Sequence, residues 1–509
     1  MTTPDPAPPP PAVADGAVRR LHPMSWLFVL LQQLRQFVVP LLVLVFLGRG
    51  DRNQLWSLVA VGGFVLVAVW RYLTFRYRIA ADSVVVDSGV LLRSHRQVPF
   101  SRIHNVAIHQ SLLHRLFGVA EVRLESAGGE KPEAEMRVLR LDDAVALEAL
   151  VRRRGGAHAP SIAAATGAEG TTPAGDEVRV LLSLPPAEVL RLGLVSNRGM
   201  VVLGAAAVSV SQLNPQLPDE LSDRWSRALA AFFGAHHFGV GDYALAALAL
   251  LLAFAVLLRL FSVLLALLQY WGFRLEEQGR RLTVERGLLT RLRTSAPRRR
   301  IQAWTLREGV LHRLFRRRSL DVDSAVAEQR NERRGLRELA PLATPAACDA
   351  LVRHLLPGAA WPPADWSPLH PRAWWRLALP GAAFSLLLAG ALCWRFGGWG
   401  LCGLAWLPWA VFVARRHAGR AGYAVDARLV GVRGGWWSRR WRFAEIDKLQ
   451  ALELRRSPLD RRFGMASLWL DTAGAGGSGS LRISFLPLAE AQALRARLAR
   501  EVARRPLRW

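Results

Sequence analysis

The stretch FRYRIAADSVVVDSGVLLRSHRQVPFSRIHNVAIHQSLLHRLFGVAEVRLESA, residues 75–127, occurs in three related copies along this chain. The other two copies are GFRLEEQGRRLTVERGLLTRLRTSAPRRRIQAWTLREGVLHRLFRRRSLDVDSA at 272–325 and AGYAVDARLVGVRGGWWSRRWRFAEIDKLQALELRRSPLDRRFGMASLWLDTA at 421–473. With the repeated glycines aligned, one pentapeptide falls at the same offset in each copy, as LHRLF at 113–117, LHRLF at 311–315 and LDRRF at 459–463. Such self-similarity predicts three copies of one structural unit.

Each copy has the pattern of a small β-sheet followed by a helix. Apolar and polar residues alternate in SVVVDSGVL, RLTVERGLL and RLVGVRGGW, which is typical of strands. Gly89, Gly287 and Gly435 occupy the place where a hairpin turn needs positive φ or a close backbone approach. After the last strand, apolar residues recur at helical spacing in LDDAVALEALVRRR, TPAACDALVRHLL and LAEAQALRARLAREVARR. We therefore predict three compact sheets, each closed by one helix.

Apolar segments of membrane-spanning length precede each copy. A hydrocarbon core about 30 Å thick needs roughly 20 apolar residues per helix. Six segments reach or approach this length, in three close pairs, at 25–47, 55–73, 188–211, 243–269, 375–394 and 399–415. The pairs predict three helical hairpins and, together with the repeated units, a polytopic α-helical membrane protein. The mean hydropathy of +0.16 and the 51% hydrophobic content agree with this class.

The distribution of arginine predicts the orientation. Arginines crowd the stretches that follow the second helix of each pair, at Arg71, Arg76, Arg78, Arg274, Arg280, Arg281, Arg415, Arg416 and Arg420. The short connection at 213–242 instead has more acidic than basic residues. By the positive-inside rule, the repeated units and both termini should lie in the cytoplasm, next to the bacterial inner membrane.

Two predicted spans contain polar residues. The first helix of hairpin 1 contains Arg35 and Gln36, and the first helix of hairpin 2 contains Asn197 and Arg198. One interpretation is an interfacial helix that turns into a shorter or tilted span. The other is a buried polar contact, a headgroup site or an ion site between hairpins, because polar groups inside a membrane are energetically expensive.

A hairpin followed by a β-unit with an R-I-x-x-V stretch and an L-x-R-x-F-G stretch resembles the bacterial PH-like domain family, also called the YdbS-like or YdbT-like membrane proteins. In the first unit the matching residues are Arg102, Ile103, Val106, Leu113, Arg115, Phe117 and Gly118. The second unit departs from the pattern at Trp304 and Arg316, where valine and glycine are expected. The third has Lys448 and Leu449 in place of Arg and Ile.

This resemblance implies a PH-type fold in each unit, a bent β-sandwich or barrel of about seven strands with one C-terminal helix. It also implies a membrane-bound binding or scaffolding role without catalysis, in a family some of whose members are linked to tolerance of membrane-active antimicrobial peptides. The predicted organisation is a disordered tail at 1–18, hairpins at 19–74, 183–271 and 358–418, PH-like modules at 75–154, 272–357 and 419–505, and a linker at 155–182.

Clustered basic residues are the candidate binding sites. The repeat places a cation at the same offset in every module, at Arg102, Arg300 and Lys448, and Arg298 and Arg299 lie beside the second of these. An arginine near an anionic membrane surface contributes about 1 kcal/mol of attraction. The alternatives are a solvated cytoplasmic face with positive-inside bias and, for the shared cation, a structural ion pair.

Other function classes are disfavoured. The net charge of +27 suits nucleic acid, but the tryptophans cluster near span ends, where membrane interfaces place them. We predict no nucleic-acid partner. We also predict no catalytic residues, no cofactor and no metal, since the sequence has no phosphate-binding or nucleophile motif and its histidines lack close acidic or thiol partners.

The function that we predict is a non-enzymatic membrane scaffold that contacts the lipid bilayer. Anionic lipid headgroups and a second membrane protein of the same repeat family are the expected partners. The alternative is a transporter or channel component that uses the polar residues of the hairpin helices.

Overall fold

A computed structural model describes residues 18–20, 63, 70, 76–80, 82–88, 94–100, 103–126, 134–156, 178–213, 223, 224, 226–228, 231, 240–324, 337–472 and 481–504. In these residues each module has seven strands, and the three predicted modules are confirmed. The strands of module 1 are β1 (Val18–Arg20), β2 (Arg76–Ile79), β3 (Ser83–Ser88), β4 (Ser94–Pro99), β5 (Ile103–Gln110), β6 (Val119–Ser126) and β7 (Ala134–Arg140). Module 2 contains β8 (Val178–Ser183), β9 (Arg274–Gln278), β10 (Arg281–Arg286), β11 (Arg291–Pro297), β12 (Ile301–Glu308), β13 (Arg318–Ser324) and β14 (Glu338–Ala343). Module 3 contains β15 (Ser367–Pro368), β16 (Gly422–Val425), β17 (Leu429–Gly434), β18 (Arg439–Glu445), β19 (Leu449–Arg455), β20 (Met465–Thr472) and β21 (Leu481–Pro487).

Helices complete the modules and form the apolar segments. The helices are α1 (Leu112–Leu116), α2 (Leu141–Gly156), α3 (Pro186–Val195), α4 (Arg198–Leu213), α5 (Val240–Tyr270), α6 (Val310–Leu314), α7 (Pro345–Leu355), α8 (Ala373–Phe396), α9 (Trp406–Arg420), α10 (Pro458–Arg462) and α11 (Leu488–Arg504). The three predicted closing helices are α2, α7 and α11, and they bury leucine and valine side chains against their sheets. The recurring LHRLF or LDRRF pentapeptide forms the short helices α1, α6 and α10, each followed at once by the next strand.

The first strand of every module comes before its hairpin. β1 pairs with β2, β8 with β9 and β15 with β16, and in each case the apolar segment lies between the two paired strands. The predicted organisation had assigned these residues to the tail, the linker and the hairpins. Each strand ends at a Leu-x-Pro tripeptide, at residues 21–23, 184–186 and 369–371. The hairpin is therefore an insertion within the module and not a segment that precedes it.

Neighbouring modules share their sheets. Strand β11 of module 2 pairs with β5 of module 1, and β18 of module 3 pairs with β12 of module 2, which gives two seven-stranded sheets. The register is the same at both junctions, because Arg291 lies opposite Gln110 and Arg439 lies opposite Glu308 at equal distances from the repeated glycines. Sequence patterns predicted strands in each module but not this pairing between modules.

The junction between modules 2 and 3 explains why Trp304 replaces valine. Trp304 lies directly opposite Phe443 in the paired strands, and the two rings stack with their centroids 6.4 Å apart. Both side chains are almost fully buried, and Trp361 packs on Phe443 from the connecting segment. The Trp304 ring therefore fills space at the junction of modules 2 and 3. Val106 holds the same position in module 1, where no ring of this size is needed.

The repeated glycine has the predicted role in the two modules where it is described. Gly287 and Gly435 have φ values of +112° and +79°. A Cβ at these positions would lie 2.0 Å from the Thr290 carbonyl oxygen and 1.9 Å from that of Ser438. Glycine is required there both for the left-handed backbone and for the close approach. Gly89 lies outside the described residues.

Arg316 occupies a left-handed position that the other modules fill with glycine. Its φ is +51°, while Gly118 and Gly464 at the equivalent position have φ values of +63° and +67°. We expect Arg316→Gly to raise the free energy of unfolding by about 0.5–1 kcal/mol. A side chain in this conformation is strained by roughly 1–2 kcal/mol, and glycine removes this strain. Part of the gain is lost because glycine has more backbone freedom in the unfolded chain. Thermal unfolding in detergent measures this, with Gly464→Arg as the reverse substitution. A lower midpoint for Arg316→Gly would contradict the expectation.

The apolar helices of the described residues are fewer than the sequence predicts. Two segments, Ala244–Tyr270 and Ala373–Arg420, are long and apolar enough to cross a bilayer, and the bent pair of α3 and α4 makes a third if counted as one span. The predicted span at 188–211 is this pair, bent by 54° at Ser196 and Asn197. The first predicted hairpin, at 19–74, lies almost wholly outside the described residues.

The third hairpin folds back on itself. The segment Gly397–Ala405 is a 3-10 helix between α8 and α9, and the Ser385 hydroxyl donates a hydrogen bond to the Gly403 carbonyl at 3.0 Å. A Cβ on Gly381 would lie 2.6 Å from the Ala410 side chain, and one on Gly400 would lie 2.1 Å from the Cys393 backbone nitrogen. Small residues thus allow the two arms to pack closely.

Candidate functional site

A buried polar cluster joins the apolar helices to module 2. We call Arg198, Tyr270, Arg286 and Glu338 the junction cluster. Glu338 opens β14 and accepts hydrogen bonds from Arg198 Nη2 at 2.7 Å and from Arg286 Nη1 at 2.9 Å, and its second oxygen also accepts from the Tyr270 hydroxyl. Both guanidinium groups lie over the Tyr270 ring, at 4.6 and 4.8 Å from its centroid. One carboxylate therefore connects α4, the end of α5 and the sheet of module 2.

The electrostatics of Glu338 favour its charged form. Burial by itself raises the pKa of this carboxyl, but Arg198 and Arg286 outweigh burial, and the pKa lies below its ordinary value. Asp321 on the neighbouring strand behaves differently, because burial raises its pKa to about 6 although Arg307 lies 3.3 Å away. Glu338 is thus held in its ionised form between two cations, whereas Asp321 keeps its proton to a higher pH than an ordinary aspartate does.

The bend between α3 and α4 is held by an arginine of the long helix. Arg259 Nη1 donates to the carbonyls of Leu194 and Ser196 at 3.2 and 3.3 Å and to Asn197 Oδ1 at 3.1 Å. These carbonyls lie at the end of α3, where helical hydrogen bonding stops. Arg259 therefore caps a helix end inside an apolar segment, and Asn197 helps to hold it.

Further ion pairs bind helices to modules. Arg317 donates through Nε and Nη2 to the two oxygens of Glu188 on α3, at 2.9 and 2.7 Å. In module 3, Arg376 of α8 donates to Asp460 at 2.9 Å and to the Ser457 hydroxyl at 3.1 Å. Asp460 is the residue that replaces histidine in the third pentapeptide, and it also forms a capping box with Ser457. In both modules the first helix of the hairpin is held next to the short pentapeptide helix.

The basic candidates of module 2 surround one end of its sheet. Arg298–Arg300 is a 3-10 helix between β11 and β12. Arg298 donates to the carbonyls of His354 and Leu355, at the end of α7, and lies 3.6 Å from Glu277. Burial lowers the pKa values of Arg298 and Arg300. The side chain of Arg299 is exposed.

The third member of the shared cation position is buried at a junction between modules. Lys448 is only 7% exposed, and its Nζ donates to the Arg299 carbonyl at 2.8 Å. The lysine of module 3 thus holds the backbone of module 2. Arg102, Arg35 and Gln36 lie outside the described residues.

A third kind of connection repeats from module to module. Arg115 of the first pentapeptide donates to the Leu288 carbonyl in the β10–β11 turn of module 2, at 3.0 Å. Arg313 of the second pentapeptide donates to the Trp437 carbonyl in the β17–β18 turn of module 3, also at 3.0 Å. The same arginine therefore reaches the same turn of the following module at both junctions.

Sequence patterns identified some of these residues and missed others. Asn197 and Arg198 were candidates either for an interfacial helix or for a buried contact, headgroup or ion site. The structure places Arg198 against Glu338, Arg286 and Tyr270, none of which was a candidate. The charged residue at the start of the apolar strand ELAPLA was the available signal for Glu338. Within the described residues, no group of three or more histidine, cysteine, aspartate or glutamate side chains could hold a metal ion.

Comparison with known proteins agrees with the repeat. A family model described as "Bacterial PH domain" matches residues 28–155, 228–347 and 376–502, which together cover more than half of the chain. The chain belongs to the bacterial PH domain family. The matches at 28–155 and 376–502 begin within apolar segments, and the match at 228–347 begins before the long helix α5, so each match covers apolar residues together with the strands that follow them.

One curated relative supports association with membranes. The UPF0699 transmembrane protein YdbT of Bacillus subtilis (strain 168) is 23% identical over 404 residues, which is 77% of this chain and 79% of that protein. No solved structure gives a significant match. With two candidate spans among the described residues, the chain is a membrane-associated protein with three bacterial PH domains.

Proposed function

We propose that this protein is a non-enzymatic, multi-pass scaffold of the bacterial inner membrane, with its three PH-like modules on the cytoplasmic face. The observation that carries the proposal is the pair of seven-stranded sheets, each built from two modules. Main-chain hydrogen bonds join the modules into one unit, so that a partner of one module is held at a defined position relative to the next.

Contacts between helices and modules support a fixed position at the bilayer. The junction cluster and the Glu188–Arg317 pair connect module 2 to its helices, and the Arg376–Asp460 pair connects module 3 to α8. The long helix α5 exposes large apolar side chains along its length, among them Leu250, Leu251 and Leu257, as a lipid-facing helix does. The Trp436 ring packs edge-on against Phe412 of α9, 5.4 Å between centroids, next to the exposed Trp437.

Anionic headgroups are the ligands that the exposed cations favour. Arg299 is exposed beside the shared cation position, and Arg102 remains a candidate by sequence. Arg298 and Lys448 already bind protein carbonyls, which gives them a structural part in the sheet junction. The scaffold therefore attracts lipid through a few exposed arginines, each contributing about 1 kcal/mol.

The polar groups of the helices support scaffolding over transport. Arg198 and Arg259 are bonded to protein acceptors, and Asn197 accepts from Arg259. Polar groups that pair with each other hold helices together, whereas a transport path needs polar groups that exchange partners with a solute.

Topology can be tested in cells, and module pairing can be tested in isolated membranes. Alkaline phosphatase fused after residue 153 should be inactive, because the modules face the cytoplasm, and the same enzyme fused in the 213–242 connection should be active. In isolated membranes that contain a chain whose three cysteines are replaced by alanine, His109→Cys with Leu292→Cys should form an intramolecular disulfide when copper phenanthroline is added as oxidant, because these residues are opposite each other in β5 and β11. Leu292→Cys alone is the control.

Activity of the fusion after residue 153 would overturn the orientation. Absence of the disulfide in a folded chain would overturn the joined modules. Ion or solute flux through liposomes that contain the purified protein would favour the transporter alternative.

A further inference from the structure

Among the described residues, the pairing that joins the modules is left open at the first and at the last module. At the junctions, β11 and β18 each have two neighbouring strands, and so do β5 and β12. Their counterparts at the ends are β4 in module 1 and β19 in module 3. Each pairs along one edge only, with β3 and with β20, and no described strand occupies the other edge.

Burial shows the same difference. In β12 the residues Trp304, Thr305 and Leu306 are at most 2% exposed, because β18 covers them. At the equivalent positions of β19, Leu452 and Leu454 are half-buried and the Glu453 side chain is 56% exposed. In β4, Arg96 and Gln97 are exposed, whereas the equivalent residues of β11 and β18 are buried. Exposed edges of this kind are templates for strand addition.

We propose that β19 of one chain pairs with β4 of a second copy of this chain, in the register of the internal junctions. Counted from the repeated glycines, that register places Ser94 opposite Arg455, Arg96 opposite Glu453 and Gln97 opposite Leu452. This pairing extends the proposed scaffold role from one chain to a head-to-tail row of chains. It depends on the joined sheets of the proposed function and does not depend on the orientation in the membrane.

Charge at the central position favours a copy of this chain as the partner. The equivalent residues at the junction of modules 2 and 3 are Arg442 and Thr305, whose side chains hydrogen-bond at 3.2 Å. Between two chains this pair becomes Arg96 and Glu453, which carry opposite charges. Glu453 binds Arg455 of its own strand at 2.7 Å, and both are exposed, so this pair can rearrange on contact. Opposite charges directly across an antiparallel pair stabilise it.

The connecting arginine of the pentapeptide is also present at the open end. Arg115 and Arg313 reach the turn of the following module, and Arg461 is their equivalent in module 3. Arg461 is exposed, and the described residues contain no module after module 3. In the row, Arg461 donates to a backbone carbonyl of the next copy, as Arg115 and Arg313 do between modules of one chain. Because this interface uses two different surfaces, it repeats from copy to copy until the row closes into a ring.

Two tagged forms of the full chain, expressed together, test the pairing. The second tag should co-purify with the first after extraction in mild detergent. Arg96→Glu or Glu453→Arg alone should lower the recovered second tag about three- to tenfold, because each places like charges opposite each other, and the double variant should restore at least half of it. Arg461→Ala should lower it as well. The matched controls are Arg462→Ala and Asp471→Arg, which change exposed residues away from the edge and should have no effect.

Cysteine cross-linking tests the register. In the cysteine-free chain, Arg96→Cys on one copy and Glu453→Cys on the other should react with a short bis-maleimide to give a species that carries both tags. Arg96→Cys with Asp471→Cys should not. The proposal would be overturned if wild-type chains did not co-purify or if the charge reversals at Arg96 and Glu453 had no effect. It would also be overturned if the control pair cross-linked equally well, or if Glu453→Cys cross-linked only to a different protein. A failed intramolecular disulfide between 109 and 292 would instead refute the joined modules themselves, so the two proposals fail separately.

Discussion

Glu338→Ala is expected to lower the free energy of unfolding of module 2 by about 3–5 kcal/mol, the usual effect of removing one partner from a buried ion pair. Arg286 is only 7% exposed and Arg198 is 30% exposed, and both lose their carboxylate. The Tyr270 hydroxyl, at the end of the long helix, loses its acceptor as well. Because the three partners come from α4, α5 and β10, the substitution should also loosen the helices from the sheet.

Calorimetry of the full chain in mild detergent measures this effect, and limited proteolysis after α4 reports the loosening. Glu285→Ala is the matched control, because it removes a glutamate of the same module whose partner, Arg291, is 56% exposed. Such a pair contributes about 0–1 kcal/mol. Equal effects of the two substitutions would mean that the junction cluster does not hold the helices.

The contribution of Glu338 should also depend on pH. Its pKa is lowered in the folded protein, so its stabilising effect is fully present above the ordinary value of 4.5 and is lost as pH falls through the folded-state pKa. The difference in stability between wild type and Glu338→Ala should therefore be constant near neutral pH and shrink in acid. A difference that grew on acidification would contradict the assignment of Glu338 as the ionised partner.

Trp304→Ala is the second substitution with a large expected effect, about 3–5 kcal/mol, because it empties a ring-sized volume from a close-packed interface. Trp304 is 2% exposed and stacks on Phe443 across the junction of modules 2 and 3. The loss should separate the unfolding of the two modules, since Phe443 and Trp361 lose the surface on which they pack.

Calorimetry again provides the measurement, because fluorescence would change with the tryptophan itself. Leu452→Ala is the matched control, since Leu452 occupies the same position of the repeat at the open edge of module 3, where it is half-buried. We expect a loss of only about 1 kcal/mol there. If Leu452→Ala lowered the free energy of unfolding as much as Trp304→Ala does, this position of the repeat would stabilise each module by itself, and the junction would not be the cause.

Local features of the fold could be predicted well. Strand alternation, the closing helices and the positive φ at Gly287 and Gly435 all depend on residues close together in sequence, and the structure confirms them. The first strands β1, β8 and β15 were missed, because each pairs with a strand on the far side of an apolar insertion. Their local signal is the Leu-x-Pro tripeptide that follows each of them.

The candidate site was predictable only in part. Arg198 was recognisable because a charge in an apolar segment requires a partner. That partner, Glu338, lies 140 residues away in sequence, and Arg286 and Tyr270 have no local feature that marks them. Lys448 was a binding candidate by its place in the repeat, and its partner is a backbone carbonyl of the preceding module, which no sequence pattern displays.

By itself the sequence determined the number of modules, the type of each and the presence of membrane-length helices, because repeats, alternation and hydropathy are properties of neighbouring residues. Only the tertiary structure decided how the modules are joined. An edge strand carries the same unpaired N–H and C=O groups whichever strand comes to it, so the choice of partner depends on where the whole chain places that edge. For this reason the shared sheets, the junction cluster and the two open edges became visible only in three dimensions.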